Sequence, residues 1–174
     1  MILWLVDRGV TDVIALDLAQ ERLDRALALG ARAAFDPTKV NLAEEIGKLH
    51  GTDTCMYKPC VGTDAFLDAA GAPSIIPDVV NMAKYHAKLV ITAVYCKPIE
   101  VNFGTMLTSE LTITTAVEYP TEMPDVVANM ARLKDKIATM ISHRIPFDDV
   151  IEGLKIAGTP NSAKVMVHFE EAGA

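Results

Sequence analysis

Apolar residues recur along this chain with two alternating periods, one of helix and one of strand. Met1 to Val6 is a continuous apolar run that meets Asp7, Arg8 and Gly9, and it predicts a buried helix. Val13 to Leu16 predicts a strand ending on Asp17. Ala19, Leu23, Ala26 and Leu27 then recur at helical spacing, with Gln20, Glu21, Asp24 and Arg25 on the opposite face, until Gly30 stops the helix. Ala33 to Phe35 predicts a short strand closed by Asp36-Pro37, and Leu42, Ile46 and Leu49 mark a second amphipathic helix ending near Gly51. His50 to Gly62 reads as a polar, cysteine-bearing loop. Ala65 to Leu67 predicts a buried strand running into Asp68-Ala69-Ala70-Gly71. A helix over Pro77 to Tyr85, carrying Val79, Val80, Met82 and Ala83, and a strand over Lys88 to Val94 come next. Such alternation calls for a parallel sheet covered on both faces.

The last third is patterned differently. Ile99 to Asn102 and Leu111 to Val117 are β-rich, and Pro124 lies in the first turn of a helix expected to run to about Lys136. Ile145-Pro146-Phe147 leads into an amphipathic helix with Val150, Ile151, Leu154 and Ile156, and Val165 to Phe169 closes the chain as a strand. No internal repeat or low-complexity tract interrupts this order.

Composition narrows the class. With 174 residues, 51% hydrophobic and 22% charged, the chain is globular and long enough for one sizeable core. A formal charge of −7, with Lys and Arg scattered among acids, leaves no basic stripe for a nucleic acid. Three cysteines without framework spacing suit a reducing compartment, and the cytoplasm is expected. The apolar start has no cationic flank and meets Asp7 at once, so it does not read as a signal peptide. No segment approaches the roughly 20 apolar residues of a membrane span.

Val13 to Leu16, Asp17, the helix behind it and Gly30 match the second half of a nucleotide-binding βαβ unit. In such folds a G-x-G-x-x-G loop joins the first strand to the first helix, and an acid about 20 residues later takes the ribose hydroxyls. Here the acid is present and the glycine loop is not. The expected fold class is therefore α/β, a doubly wound, Rossmann-like parallel sheet lacking its first strand and glycine-rich loop. That strand would be central, so its loss is expected to leave the strands at 13–16 and 65–67 with unpaired edges or to force them together.

The order of these pieces resembles the cofactor-binding half of the medium-chain, zinc-dependent alcohol dehydrogenase family. The resemblance rests on Val13-Ile14-Ala15-Leu16-Asp17 with Glu21-Arg22-Leu23 and Ala28-Leu29-Gly30-Ala31, and on Phe66-Leu67-Asp68-Ala69-Ala70-Gly71. It continues through Leu89-Val90-Ile91-Thr92-Ala93-Val94-Tyr95, Glu110-Leu111-Thr112-Ile113 and Ile141-Ser142-His143-Arg144-Ile145-Pro146-Phe147. Only the stretch from His50 to Gly62 is atypical.

The resemblance implies roles. Asp17 would grip both ribose hydroxyls of NAD and repel a 2′-phosphate, while Arg22 beside it leaves room for NADP. Ala70 and Gly71 would abut the adenosine side, Ala93, Val94 and Tyr95 would pack along the nicotinamide ribose, and the backbone of Ala116, Val117 and Glu118 would meet the carboxamide. Residues 99–102 and 111–117 would form the edge through which two subunits join as a homodimer. The organisation implied is a truncated dinucleotide-binding domain over 1–144, then a helix and strand over 145–174 that in similar enzymes return to the catalytic domain. The ligands of catalytic zinc and the proton relay come in that family from a preceding domain. This chain alone is therefore expected to be inactive in hydride transfer between an alcohol or polyol and a nicotinamide cofactor. The alternative is a non-catalytic remnant that serves only in folding and dimerisation.

Plainer readings stand beside these. An aspartate between strand and helix is often an N-cap, and Arg22 alone is a solvated helix residue. The turn at 93–95 is one that any strand leaving a sheet needs. Cys55 and Cys60 with His50 make a zinc site conceivable, but four ligands on two knuckles are the rule for structural zinc, so free thiols are expected. His86 and His143 read as surface or helix-end residues.

Overall fold

The computed structural model describes residues 1–118 and 121–169. Its elements begin with helix α1 (Ile2–Asp7), strand β1 (Ile14–Leu16), α2 (Gln20–Ala28), β2 (Ala33–Phe35) and α3 (Leu42–His50). Strands β3 (Thr52–Cys55), β4 (Lys58–Val61) and β5 (Ala65–Asp68) follow, then α4 (Ile75–Met82), β6 (Lys88–Ile91), α5 (Phe103–Leu107) and β7 (Thr112–Thr115). The described chain ends with α6 (Met123–Arg132), α7 (Lys134–Ala138), β8 (Ile141–Pro146), α8 (Val150–Ala157) and β9 (Lys164–His168). The class is the predicted one, α/β with mainly parallel pairing. These elements form two compact units, one from residues 1–40 and 121–169, the other from residues 41–118.

In the first unit β1 runs parallel to β2, with Ile14 opposite Ala33 and Leu16 opposite Phe35, and β8 runs parallel to β9. Helix α2 buries Leu23 and Ala26 and closes on a Schellman motif: the Gly30 amide donates to the Leu27 carbonyl and the Ala31 amide to that of Ala26. Gly30 has φ +104°, and a Cβ there would lie 3.1 Å from a Val6 methyl, so only glycine fits this turn. The predicted N-terminal helix is present, but only Leu3 of it is buried, in a cluster with Leu29 and Leu133. Arg132 ties α6 to α1 by donating from Nη2 to Asp7 Oδ2 at 2.7 Å.

One expectation is corrected here. The helix expected to run unbroken from Pro124 to Lys136 is interrupted at Leu133, which turns out of helical geometry at φ −98°, ψ 9° and is buried. The apolar face of α8 is not buried: Ile151 and Leu154 are 65% and 66% exposed, and only Gly153 of the helix is covered. Ile145-Pro146 ends β8, and Phe147–Asp149 forms a 3₁₀ turn that leads into α8.

In the second unit β5, β6 and β7 form one parallel sheet in that order, with α4 and α5 as its crossovers. Its core is Ile76, Val79 and Val80 of α4 with Ala83, Ala87, Leu89 and Leu111. The polar loop expected between His50 and Gly62 is instead the antiparallel hairpin of β3 and β4, in which Asp53 faces Cys60 and Cys55 faces Lys58. Its turn carries Met56 at φ +56° without the Asn-Gly signal that marks most such turns, and Cys55, Cys60 and Val61 bury its inner face. The hairpin also caps α4: Lys58 Nζ donates to the Val80 carbonyl at 2.9 Å. Ile99 to Asn102 is not a strand. Asn102 caps α5 by accepting from the Thr105 amide at 3.0 Å, and Ile99 and Val101 pack on the core from an irregular segment.

Among the described residues β1 pairs only with β2, and β5 only with β6. Of the two outcomes expected for these strands, each therefore keeps an unpaired edge.

Candidate cofactor site

Open α/β folds bind ligands outside the carboxyl ends of parallel strands, and the predicted contact residues follow such ends, apart from Arg22, which lies in α2. In the first unit Asp17 follows β1. Its backbone amide donates to the Phe35 carbonyl, extending the ladder by one step, and its Oδ1 accepts from the Ala19 amide at 3.0 Å. Ala19, not Asp17, is the N-cap of α2. Asp17 Oδ2 lies 3.7 Å from Arg22 Nη1, and the aspartate side chain is 30% exposed. One carboxylate oxygen thus serves the turn, while the other faces a cation and keeps free lone pairs. The same position after β2 holds Asp36, whose carboxyl is held down to about 2 by hydrogen bonds from the Thr38 hydroxyl, Lys39 and the Thr38 amide.

In the second unit the three parallel strands end in register, Asp68 opposite Ile91 and Ile91 opposite Thr115. Residues 69–71, 92–95 and 116–118 therefore leave one edge of one sheet. Asp68 organises that edge. Only 2% exposed, it accepts from the Ala70 and Gly71 amides on Oδ1, both at 3.0 Å, and from the Tyr95 hydroxyl on Oδ2 at 2.7 Å. Burial first, and then the bond to Asp68 and its charge, push the Tyr95 phenol up to about 12. Gly71 has φ +70°, and a Cβ there would meet Ala93 Cβ at 3.1 Å and the Val94 carbonyl oxygen at 3.3 Å. Glycine is required here both by conformation and by the close approach of the neighbouring turn.

The predicted residues thus fall into two groups, Asp17 with Arg22 in one unit, and Ala70, Gly71, Ala93, Val94 and Tyr95 at one sheet edge in the other. Ala116, Val117 and Glu118 follow β7 and are exposed; the Ala116 amide still donates to the Ile91 carbonyl. Asp68 is not among the residues predicted from the sequence to meet the cofactor. Its signal was legible: an acid at a strand end three residues before a glycine, with short residues between, is the pattern of a carboxylate capping its own turn.

The cysteines are free thiols. Cys55 and Cys60 are buried with sulfurs 2.9 Å apart, and burial, followed by the contact with Cys55, pushes the Cys60 thiol up to about 12; Cys96 is exposed. His86 is exposed, and His143 lies in β8 rather than at a helix end. Among the described residues no three His, Cys, Asp or Glu side chains gather as metal ligands. No helix among them is long and apolar enough to cross a membrane.

The family model for zinc-binding dehydrogenases matches residues 1–132. The chain is similar to a (R,R)-butanediol dehydrogenase of Neisseria gonorrhoeae, 24% identical over 160 residues that cover 90% of this chain and 43% of that protein. It also superposes on an Escherichia coli alcohol dehydrogenase solved with NADH, at 24% identity and a TM-score of 0.78, over 97% of this chain and 48% of the other. A zinc-binding dehydrogenase of Sinorhizobium meliloti bound to NADP matches at 22% identity and a TM-score of 0.79, over 95% of this chain and 47% of the other. These likenesses show a Rossmann-like fold, and the chain spans less than half the length of the relatives it matches. With 132 of its 174 residues in the family match, the chain belongs to the zinc-binding dehydrogenase family.

Proposed function

We propose that this chain is the nicotinamide-dinucleotide-binding part of an alcohol or polyol dehydrogenase, with NAD favoured over NADP. The observation that carries the reading is Asp17: a partly exposed carboxylate at the end of a parallel strand, with one oxygen held by the Ala19 amide and the other open beside Arg22. Such a carboxylate accepts from two ribose hydroxyls and repels a 2′-phosphate. Ala70, Gly71, Ala93, Val94 and Tyr95, with the exposed backbone of residues 116–118, supply the contacts for the rest of the cofactor. Hydride transfer is the chemistry of the bound cofactor, and no residue described here is assigned to the chemical step. A homodimer through the edge formed by residues 111–117, working in the cytoplasm where its thiols stay reduced, completes the reading.

Replacing Asp17 by Ala tests it. The variant is expected to bind NADH about tenfold more weakly than the native chain, since bonds to a charged acceptor are lost, while NADPH binding does not weaken. Equal NADH affinity of the two proteins removes Asp17 from the site.

A further inference from the structure

Asp68 is buried, carries a charge-capable carboxyl, and touches two of the segments assigned above to cofactor contact. We infer that Asp68 and the Tyr95 hydroxyl act as positioning residues that set the nicotinamide-side contact of the cofactor, an inference that rests on the proposed dinucleotide reading. Oδ1 of Asp68 holds the turn after β5 through the Ala70 and Gly71 amides, and Oδ2 holds the turn after β6 through the Tyr95 hydroxyl. The Thr92 amide and hydroxyl both donate to the Asp68 carbonyl, at 2.8 Å and 2.9 Å, so backbone and side chain of one residue fix the same pair of turns. The two turns meet at Gly71, where a Cβ would lie 3.1 Å from Ala93 Cβ and 3.3 Å from the Val94 carbonyl oxygen, tighter than ordinary contact.

This arrangement leaves the Val94 side chain 78% exposed at the tip of a turn that is otherwise pinned. An exposed apolar residue on a backbone fixed at two points is a preformed surface for a flat ring or a sugar face, and preorganisation of this kind reduces the entropy lost on binding. Neither Asp68 nor the Tyr95 hydroxyl needs to touch the cofactor. Their effect runs through the position of residues 93–95.

The test compares NADH with AMP, which carries the adenosine half of the cofactor and none of the nicotinamide half. Calorimetric titrations of the 174-residue chain and of Tyr95→Phe are made with each ligand, well below the temperature of unfolding. The phenylalanine ring keeps its place against the core but releases the turn from Asp68. NADH affinity is expected to fall about three- to tenfold while AMP affinity stays at the native value. Asp68→Asn, whose amide group can still bond the Tyr95 oxygen while its carbonyl accepts from the Ala70 and Gly71 amides, is expected to keep the native ratio of the two affinities. Native NADH affinity in Tyr95→Phe overturns the positioning role and leaves the cofactor reading standing. A parallel fall for both ligands overturns it too, by showing a general loss of structure. A native chain that binds neither ligand overturns the cofactor reading itself, and the positioning role with it.

Discussion

At the scale of single residues, the edge of the β5–β7 sheet depends on one carboxylate and one phenol. Tyr95 donates to a nearly dry Asp68, and its own ionisation would place two negative charges 2.7 Å apart. Its pKa therefore rises, from an ordinary value of 10 to about 12, with burial the largest cause. A raised value in the folded state gives stability that is complete below the unfolded pKa of about 10 and is lost as pH climbs through about 12. Denaturant unfolding of the native chain and of Tyr95→Phe checks this. The native advantage, about 1.5–3 kcal/mol for a bond to a charged group, is expected to be constant up to about pH 10 and to shrink toward pH 12. An advantage that does not change across that interval contradicts the Asp68–Tyr95 link. Asp68 itself was within reach of the sequence, because Asp-Ala-Ala-Gly spells a capped turn. Tyr95 as its partner was not, since 27 residues separate them and only strand register brings them together.

At the scale of elements, β7 is an edge strand. The Thr112 and Ala116 amides donate inward to Ala87 and Ile91, so by the alternation of a parallel ladder the amides of Ile113 and Thr115 face away from β6. An open row of this kind is a template for pairing with a second copy, which is what the proposed dimer requires. Thr115→Pro removes one outward donor and leaves the β6 ladder whole. Sedimentation is expected to show a dimer for the native chain and a monomer for the variant; a native monomer contradicts the proposed interface. The elements that the sequence misplaced have a common physical origin. The β3–β4 hairpin has no apolar alternation on its outer face and turns on a non-glycine residue of positive φ, so neither period nor turn chemistry announced it. Ile99 and Val101 are β-branched and half-buried, yet the Asn102 cap draws the chain into a helix instead.

At the scale of the whole molecule, the alternation of helix and strand was legible because each period is imposed by burial: Leu23 and Ala26 on α2, and Ile76, Val79 and Val80 on α4. The division into two compact units was not, because the first gathers residues from both ends of the chain and no local composition marks its limits. The residues to which the family resemblance assigns cofactor contact lie just beyond the carboxyl ends of β1, β5, β6 and β7, apart from Arg22 in α2.

The most direct measurement is calorimetric titration of the native 174-residue chain with NADH and, separately, with NADPH. Saturable binding of NADH, tighter than that of NADPH, is the predicted result and would establish Asp17 and the strand-end segments as a working dinucleotide site. Absence of NADH binding at millimolar concentration contradicts it.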